Sequence, residues 1–209
     1  SIFWPALLEA GNYKKPDIIQ VNGFLTVNHQ KMSKSRGTFI KAQDYLEKLA
    51  PSYLRYYFAA KLSSEPTDLD LTADDFTQRV NTDLVNKYVN IASRSAGFLR
   101  KKFSNVLSAK LSDDSMEHLK KGQSFAEEIS SNFESRNFAN ALRLIMKFAD
   151  ISNQYIDLHK PWSMAKNDDP SINSKVQEVC TVAINDFRLL TLYLKPIIPE
   201  LAAKVEEFL

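Results

Sequence analysis

The feature that most constrains the fold is a set of long apolar stripes between residues 72 and 209. In each stripe, apolar side chains recur at spacings of three and four residues, which places them on one face of a helix. Prolines and short polar stretches separate the stripes, and connections of this length join helices that run in opposite directions. The pattern predicts a mainly α fold, with an antiparallel helical bundle over residues 72–209.

Individual helices can be predicted from start and stop signals. The segment from Thr72 resembles a capped helix start, because acidic residues follow in its first turn, and its stripe extends from Phe76 to Phe98. A second helix is expected from Ser112, with one apolar face formed by Met116, Leu119, Ala126, Ile129 and Phe133. Further helices are expected over residues 137–158 and 172–194, with a short last helix before Leu209. Ahead of the bundle, a short helix over 52–62 and a loop over 63–71 are expected.

Residues 1–41 have a different character. A run rich in β-branched residues, Pro16 to Val21, is followed by Asn22-Gly23 and then by a second apolar run that ends at Val27. Asn-Gly between two such runs predicts a β-hairpin, and the polar residues 28–37 predict an exposed loop. A hairpin alone is only marginally stable in water. These residues are therefore expected to be the remnant of an α/β domain, and the chain to be a fragment of a longer protein.

Charge and cysteine content exclude several classes of protein. The 27 Lys and Arg residues nearly balance the 25 Asp and Glu residues, so no strong overall positive field announces nucleic acid. The single cysteine, Cys180, excludes an intramolecular disulfide or a Cys-pair zinc site and is expected to be buried as a small apolar side chain. No apolar run approaches the ~20 residues of a membrane span. A cytoplasmic protein is expected.

The most informative motif is Lys31-Met32-Ser33-Lys34-Ser35. It places two ammonium groups three residues apart, with a small hydroxyl residue between them, on a segment that can close over a polyphosphate. Positive charge held there would stabilise the negative charge that develops during phosphoryl or nucleotidyl transfer. A solvated basic loop is the alternative interpretation of a Lys- and Ser-rich segment.

This motif matches the second signature of the class I aminoacyl-tRNA synthetases, and its context resembles the methionyl-tRNA synthetase family. The similarity extends to Arg36-Gly37-Thr38 after the motif, to Phe3-Trp4-Pro5-Ala6 before it, and to residues 54–62. The resemblance implies three parts. Residues 1–41 would be the end of a Rossmann-type catalytic domain, residues 42–71 a stem-contact or linker region, and residues 72–209 an anticodon-binding bundle.

The resemblance also implies a reaction, the ATP-dependent activation of methionine to methionyl-adenylate and its transfer to the 3′-terminal adenosine of tRNA(Met). Mg²⁺ would accompany the ATP. Lys31 and Lys34 would be catalytic, within an ATP-binding loop formed by Lys31, Met32, Ser33, Lys34 and Ser35. The family's other signature, His-x-Gly-His, matches none of His29, His118 and His159. That signature and the family's zinc site would lie upstream, so no metal site is expected here and the chain alone is predicted to be inactive.

A second group of residues suits RNA. Asn86, Asn90 and Arg94 share one polar face of the first long helix, and Asn and Arg side chains can read base edges. The resemblance implies that Asn90 and Arg94 bind the CAU anticodon together with Pro161 and Trp162, with Trp162 stacked on an anticodon base. The plainer alternatives are a solvated polar face and a half-buried aromatic residue at the end of the bundle.

A stand-alone, non-catalytic RNA-binding module of the same fold remains the alternative from another functional class. The expected partners are tRNA(Met), ATP and methionine, without a membrane and with no oligomer expected for this fragment.

Overall fold

The computed structural model describes residues 2–33, 35, 39–167 and 169–208. The helices are α1 (Phe3–Ala10), α2 (Ala42–Leu46), α3 (Pro51–Ala59), α4 (Ala73–Val80), a π-helix (Asn81–Val89), α5 (Asn90–Ser93), α6 (Ala96–Phe103), α7 (Asp113–Gln123), α8 (Ala126–Glu134), α9 (Phe138–His159), α10 (Pro161–Met164), α11 (Pro170–Leu194) and α12 (Pro199–Phe208). The strands are β1 (Leu25–Val27), β2 (Gln30–Lys31) and β3 (Leu69–Leu71). The predicted mainly α class, with a helical bundle and a preceding hairpin, is confirmed.

The core of the bundle lies between the long helices α9 and α11, which pack against the π-helix on one side and against α7 and α8 on the other. Tyr88 of the π-helix stacks on Phe187 of α11, with ring centroids 4.7 Å apart. Phe148, at the centre of α9, is fully buried. Cys180 is buried as expected, and burial raises the pKa of its thiol to about 12. The bundle therefore encloses a continuous apolar core of its own.

Two of the predicted helix starts are confirmed by their caps. The side chain of Thr72 accepts a hydrogen bond from the Asp75 amide, and the side chain of Ser112 accepts one from the Ser115 amide. Such caps satisfy backbone donors that lack partners inside the helix. The sequence signals for where helices begin therefore describe this chain well.

The prediction of one continuous helix from Ser112 to Phe133 is wrong, because the helix is interrupted in its middle. The chain forms α7 and α8 with a break at residues 124–125. The buried positions Ser115, Gly122 and Ile129 are seven residues apart, so both helices present the same face to the core. Met116 and Ala126, expected on the apolar face, lie one position away from it and are exposed. Gly122 is required there, because a Cβ atom at this position would lie 2.4 Å from the ring of Phe148.

The first long helix also differs from the prediction of one continuous α-helix. Its apolar residues Val80, Leu84 and Tyr88 are four positions apart, which is wider than the 3.6 residues of an α-helical turn. The π-helix, with its wider i→i+5 turns, keeps all three on the buried side. A further break after Ser93 separates α5 from α6.

The prediction of a hairpin with its turn at Asn22-Gly23 is wrong, and the hairpin of this chain lies further along the sequence. β1 pairs with β2 in antiparallel register, and the turn residues are Asn28 and His29, with φ angles of 49° and 59°. Residues 16–21 form no strand. Gly23 lies outside the turn. Its backbone passes so close to Thr67 that a Cβ atom at this position would lie 2.2 Å from the Thr67 backbone. Glycine is needed there for close approach of two backbones.

The third strand was missed. Residues 69–71 were expected to be part of a loop, yet β3 pairs with β1 in parallel, and the sheet order is β2-β1-β3. The polar loop expected over residues 28–37 likewise contains β2. Three-residue strands carry too little alternation for a local pattern to reveal them, and their pairing across 44 residues is a tertiary contact.

Candidate nucleic-acid interface

A polar seam runs along the bundle where the π-helix and α5 lie beside α9. Lys87 forms an ion pair with Asp150 at 2.8 Å, and Asn90 donates from Nδ2 to Oδ1 of Asn153 at 3.4 Å. One turn further, Arg94 forms an ion pair with Asp157. In the three pairs, residue numbers increase in the same direction on both sides, so the segment formed by the π-helix and α5 runs parallel to α9. The seam extends over about two helical turns.

Trp162 extends this seam at the end of the bundle. The Arg94 guanidinium lies 4.7 Å from the centre of the Trp162 ring, in cation–π geometry. Pro161 is buried at the first position of α10, where its missing N–H costs nothing. Lys160, at the junction with α9, has a φ of 45°, and this left-handed residue turns the chain sharply so that Trp162 returns over Arg94.

The structure thus brings Asn90 and Arg94 together with Pro161 and Trp162, which lie about seventy residues further along the chain. Asn86, which shares the predicted polar face, is exposed on the π-helix. Arg94 is largely shielded, with 21% of its side chain exposed, while Asp157 is 61% exposed. The arrangement offers a planar cation and an aromatic ring beside an amide, a combination suited to an unpaired base.

Two further residues of the seam, Asn153 and Asp157, were not recognised in the sequence. Asn153 donates from Nδ2 to the carbonyl oxygens of Lys87 and Ala149 at 3.0 and 2.9 Å, so its Oδ1 atom is directed at Asn90. A signal was present: residues 87, 90 and 94 and residues 150, 153 and 157 have the same spacing, with cations opposite carboxylates. Matched spacing of complementary residues on two helices indicates a paired seam.

At the other end of the seam lies an open groove of about 800 Å³. Its charged lining consists of four cations and two carboxylates: Arg79, Lys87, Arg143, Lys147, Asp83 and Asp150. Arg143 donates to the side-chain oxygen of Asn140, and Lys147 lies over the ring of Phe125. Positive charge therefore predominates locally, although the chain as a whole is nearly neutral.

The signature motif begins in the sheet. Lys31 is the last residue of β2, opposite Thr26 of β1, and is exposed. Met32 and Ser33 follow directly and are partly buried, and the hydroxyl groups of Ser33 and Ser35 lie 3.0 Å apart. Lys34, predicted as catalytic, lies outside the described residues, as do residues 36–38.

Over the described ranges, no group of three or more His, Cys, Asp or Glu side chains is arranged to hold a metal ion. In the same part of the chain, no helix is long and apolar enough to cross a membrane.

Two family models match the chain. The model described as class I tRNA synthetases (M) matches residues 1–96, and the model of the anticodon-binding domain of tRNA ligases matches residues 117–207. The first match contains the signature motif, Asn90 and Arg94. The second contains Asn153, Asp157 and Trp162.

Curated relatives and solved structures give the same result. The methionine–tRNA ligases of Thiobacillus denitrificans and Chromobacterium violaceum are 52% and 51% identical to all of this chain, which spans 30% of the length of each. Among solved structures, the Mycobacterium tuberculosis methionyl-tRNA synthetase in complex with methionyl-adenylate matches 98% of the chain with a TM-score of 0.86 and 25% identity. The chain covers 40% of that protein.

Proposed function

Because the chain belongs to the methionyl-tRNA synthetase family of class I tRNA synthetases, we propose that the intact protein is a methionine–tRNA ligase. It would form methionyl-adenylate from ATP and methionine and transfer the methionyl group to the 3′-terminal adenosine of tRNA(Met), in the cytoplasm. This chain would supply the signature motif and the reader of the CAU anticodon. The observation that carries this assignment is the assembly of Asn90, Arg94 and Trp162 at one end of the bundle.

In the activation step, the proposed roles of Lys31 and Lys34 follow from charge. Their ammonium groups would neutralise the phosphate oxygens of ATP as pyrophosphate leaves, and Ser33 and Ser35 would donate hydrogen bonds to the same oxygens. Met32 completes this ATP-binding loop. Mg²⁺ would accompany the ATP, and zinc is expected only in a part of the protein other than this chain. We propose that this chain alone does not form the adenylate, because it lacks the His-x-Gly-His signature.

In anticodon recognition, the proposed roles follow from the geometry of the seam. Trp162 provides a face on which an unstacked base can lie, and Arg94 can donate two hydrogen bonds to a base edge. Asn90 presents its remaining amide atoms beside them, and Pro161 fixes the start of the α10 turn that carries Trp162. The cationic groove further along the seam would accept phosphates of the anticodon stem.

The alternative is a non-catalytic RNA-binding module that kept the fold. The retained signature motif favours the enzyme, because a module that only binds RNA has no need for two lysines in a phosphate-binding loop. Pyrophosphate exchange by the intact protein discriminates between the two: methionine-dependent exchange supports the ligase, and RNA binding without exchange supports the module.

Anticodon reading can be tested with the 209-residue chain by measuring binding to an anticodon stem-loop bearing CAU and to the same hairpin bearing GAU at one salt concentration. We expect a clear preference for CAU. Trp162→Ala should weaken CAU binding by about 1–3 kcal/mol, the range for loss of one stacked base.

The matched control is Trp4→Ala, which removes the chain's other tryptophan, from an exposed position on α1. It should leave both affinities unchanged. Equal affinity of the wild-type chain for the two hairpins would show that it contacts only phosphates and would remove base-specific reading from these residues.

A further inference from the structure

The β1–β2 turn, which leads directly into the signature motif, is held by a carboxylate from the other side of the sheet. Asp70, in the middle of β3, lies opposite Thr26 of β1. Its Oδ1 atom accepts hydrogen bonds from the Thr26 hydroxyl at 2.5 Å and from the His29 amide at 2.8 Å. Its Oδ2 atom lies 3.2 Å from Nδ1 of His29. Asp70 therefore contacts both the strand and the turn that precede Lys31.

This turn needs external support. Asn28 and His29 both have positive φ angles, which non-glycine residues adopt at a cost. The His29 amide donates to Asp70, and the Asn28 amide donates to the carbonyl oxygen of Leu71 at 3.1 Å. Hydrogen bonds to an ionised carboxylate are stronger than neutral ones, and those from Thr26 and His29 lower the pKa of Asp70 and keep it charged. The geometry of the turn thus depends on a residue 41 positions away along the chain.

The main-chain carbonyl group of Asp70 is hydrogen-bonded to the helical part of the molecule. The carbonyl oxygen of Asp70 accepts a hydrogen bond from Nζ of Lys61 at 2.9 Å and lies 3.0 Å from the hydroxyl of Tyr57. Tyr57 lies in α3 and Lys61 just after its end, and both side chains contact the carboxylate of Asp75, at 2.8 Å from Tyr57 and at 2.5 Å from Lys61. Asp75 lies in the first turn of α4. Residue 70 is therefore bonded on one side to the turn and on the other to the start of the bundle.

We infer that Asp70 is a positioning residue for the signature motif, which fixes the turn from which Lys31 and the following residues project towards the nucleotide. The inference rests on the proposed ligase function. Asp70 would contact neither ATP nor methionine. Its carboxylate would act through Thr26 and His29, so that its loss displaces the motif while leaving the methionine site and the bundle intact.

The first test measures ATP–pyrophosphate exchange by the intact protein. Asp70→Ala should lower kcat by about 10- to 100-fold, the range that a displacement of about 1 Å produces, while KM for methionine and the thermal unfolding temperature stay near wild type. Asp70→Asn should lower kcat less, because the amide keeps an acceptor oxygen but not the charge. Thr26→Val, which removes one of the carboxylate's partners, should change kcat in the same direction.

The matched control is Asp68→Ala. The Asp68 carboxylate accepts a hydrogen bond from the Phe24 amide at 2.7 Å, at the end of the same sheet away from the turn. Its loss should change kcat within about twofold. Equal losses in the Asp68 and Asp70 variants, or a loss in step with the unfolding temperature, would show that these residues only hold the sheet together and would overturn the inference.

The second test is hydrogen exchange and does not depend on catalysis. In Asp70→Ala, amides in a peptide covering residues 24–33 should exchange faster, with unchanged protection in α9 and α11. Unchanged exchange in that peptide would overturn the inference. If the wild-type protein shows no pyrophosphate exchange, the proposed function fails, and the hydrogen-exchange result still decides whether Asp70 holds the turn.

Discussion

The two ends of this chain use apolar side chains in opposite ways. In the bundle, Phe148 and Ile145 of α9 are fully buried. In the N-terminal segment, residues 2–41, helix α1 buries none of its residues, and Phe3 and Phe24 are 76% and 77% exposed. Clusters of large exposed apolar residues are typical of surfaces that pack against another partner. The bundle therefore has a core of its own, whereas the N-terminal segment is held mainly by short strands and side-chain hydrogen bonds.

Removing one phenylalanine from each region should have very different effects on stability. Phe148→Ala should lower the free energy of unfolding by about 3–5 kcal/mol, because it leaves a cavity in the core. Phe24→Ala should change it by less than about 0.5 kcal/mol. Urea unfolding followed by circular dichroism measures both. A large loss in Phe24→Ala would show that the N-terminal segment supports the bundle after all.

The carboxylate of Glu178 is a charged group held by hydrogen bonds within the bundle. Burial alone would raise the pKa of Glu178 on α11, but hydrogen bonds from Ser112 and Ser115 and the nearby Lys175 ammonium outweigh burial and lower the pKa to about 2. Because this pKa lies below its ordinary value of 4.5, the carboxylate stabilises the fold above pH 4.5 and loses that effect as the pH falls towards 2.

We expect this interaction to contribute about 2 kcal/mol to the wild-type free energy of unfolding, a value typical of hydrogen bonds to a charged group. Glu178→Gln should lower stability at neutral pH and flatten its decline in acid. Glu117→Gln, at an exposed position on α7, is the matched control and should leave the acid dependence unchanged. Identical acid profiles for wild type and Glu178→Gln would contradict the prediction.

The smallest expected effect lies where the two regions meet. Thr72→Ala removes the cap of α4 and should cost about 1 kcal/mol of unfolding free energy. Lys41 precedes α2 in the equivalent position, but its side chain makes no capping hydrogen bond, so Lys41→Ala should fall within about 0.5 kcal/mol of wild type. Thermal unfolding of the two variants side by side measures the difference. Equal losses would mean that the cap contributes nothing.

The same contrast explains which parts of the fold could be predicted from the sequence. The long helices α9 and α11 and the capped helix starts at Thr72 and Ser112 are encoded by neighbouring residues, and the sequence predicts them. The turn at Asn28 and His29 was not, because its positive φ angles are supported by Asp70, a residue remote in sequence. Local patterns reveal structure that local contacts stabilise, and the small sheet depends on remote contacts.

The candidate site shows a similar division. Asn90, Arg94 and Trp162 could be named from residue type and from family resemblance, and the structure places Arg94 against Trp162. Their roles in binding RNA remain predictions. The side chains that orient them, Asn153 and Asp157, could be found only by comparing the spacing on two helices, because no single-helix pattern identifies a partner on another helix.

The contact between Arg94 and Trp162 also gives the molecule a built-in optical reporter. The chain has 2 tryptophans, one in each of the regions compared above. Trp4 is 63% exposed to water, whereas the indole of Trp162 is half-buried beneath a guanidinium group. Trp4→Phe would leave Trp162 as the sole source of indole fluorescence. A nucleotide base that stacks on that ring quenches its emission, so occupancy of the seam could be followed in real time without any attached dye.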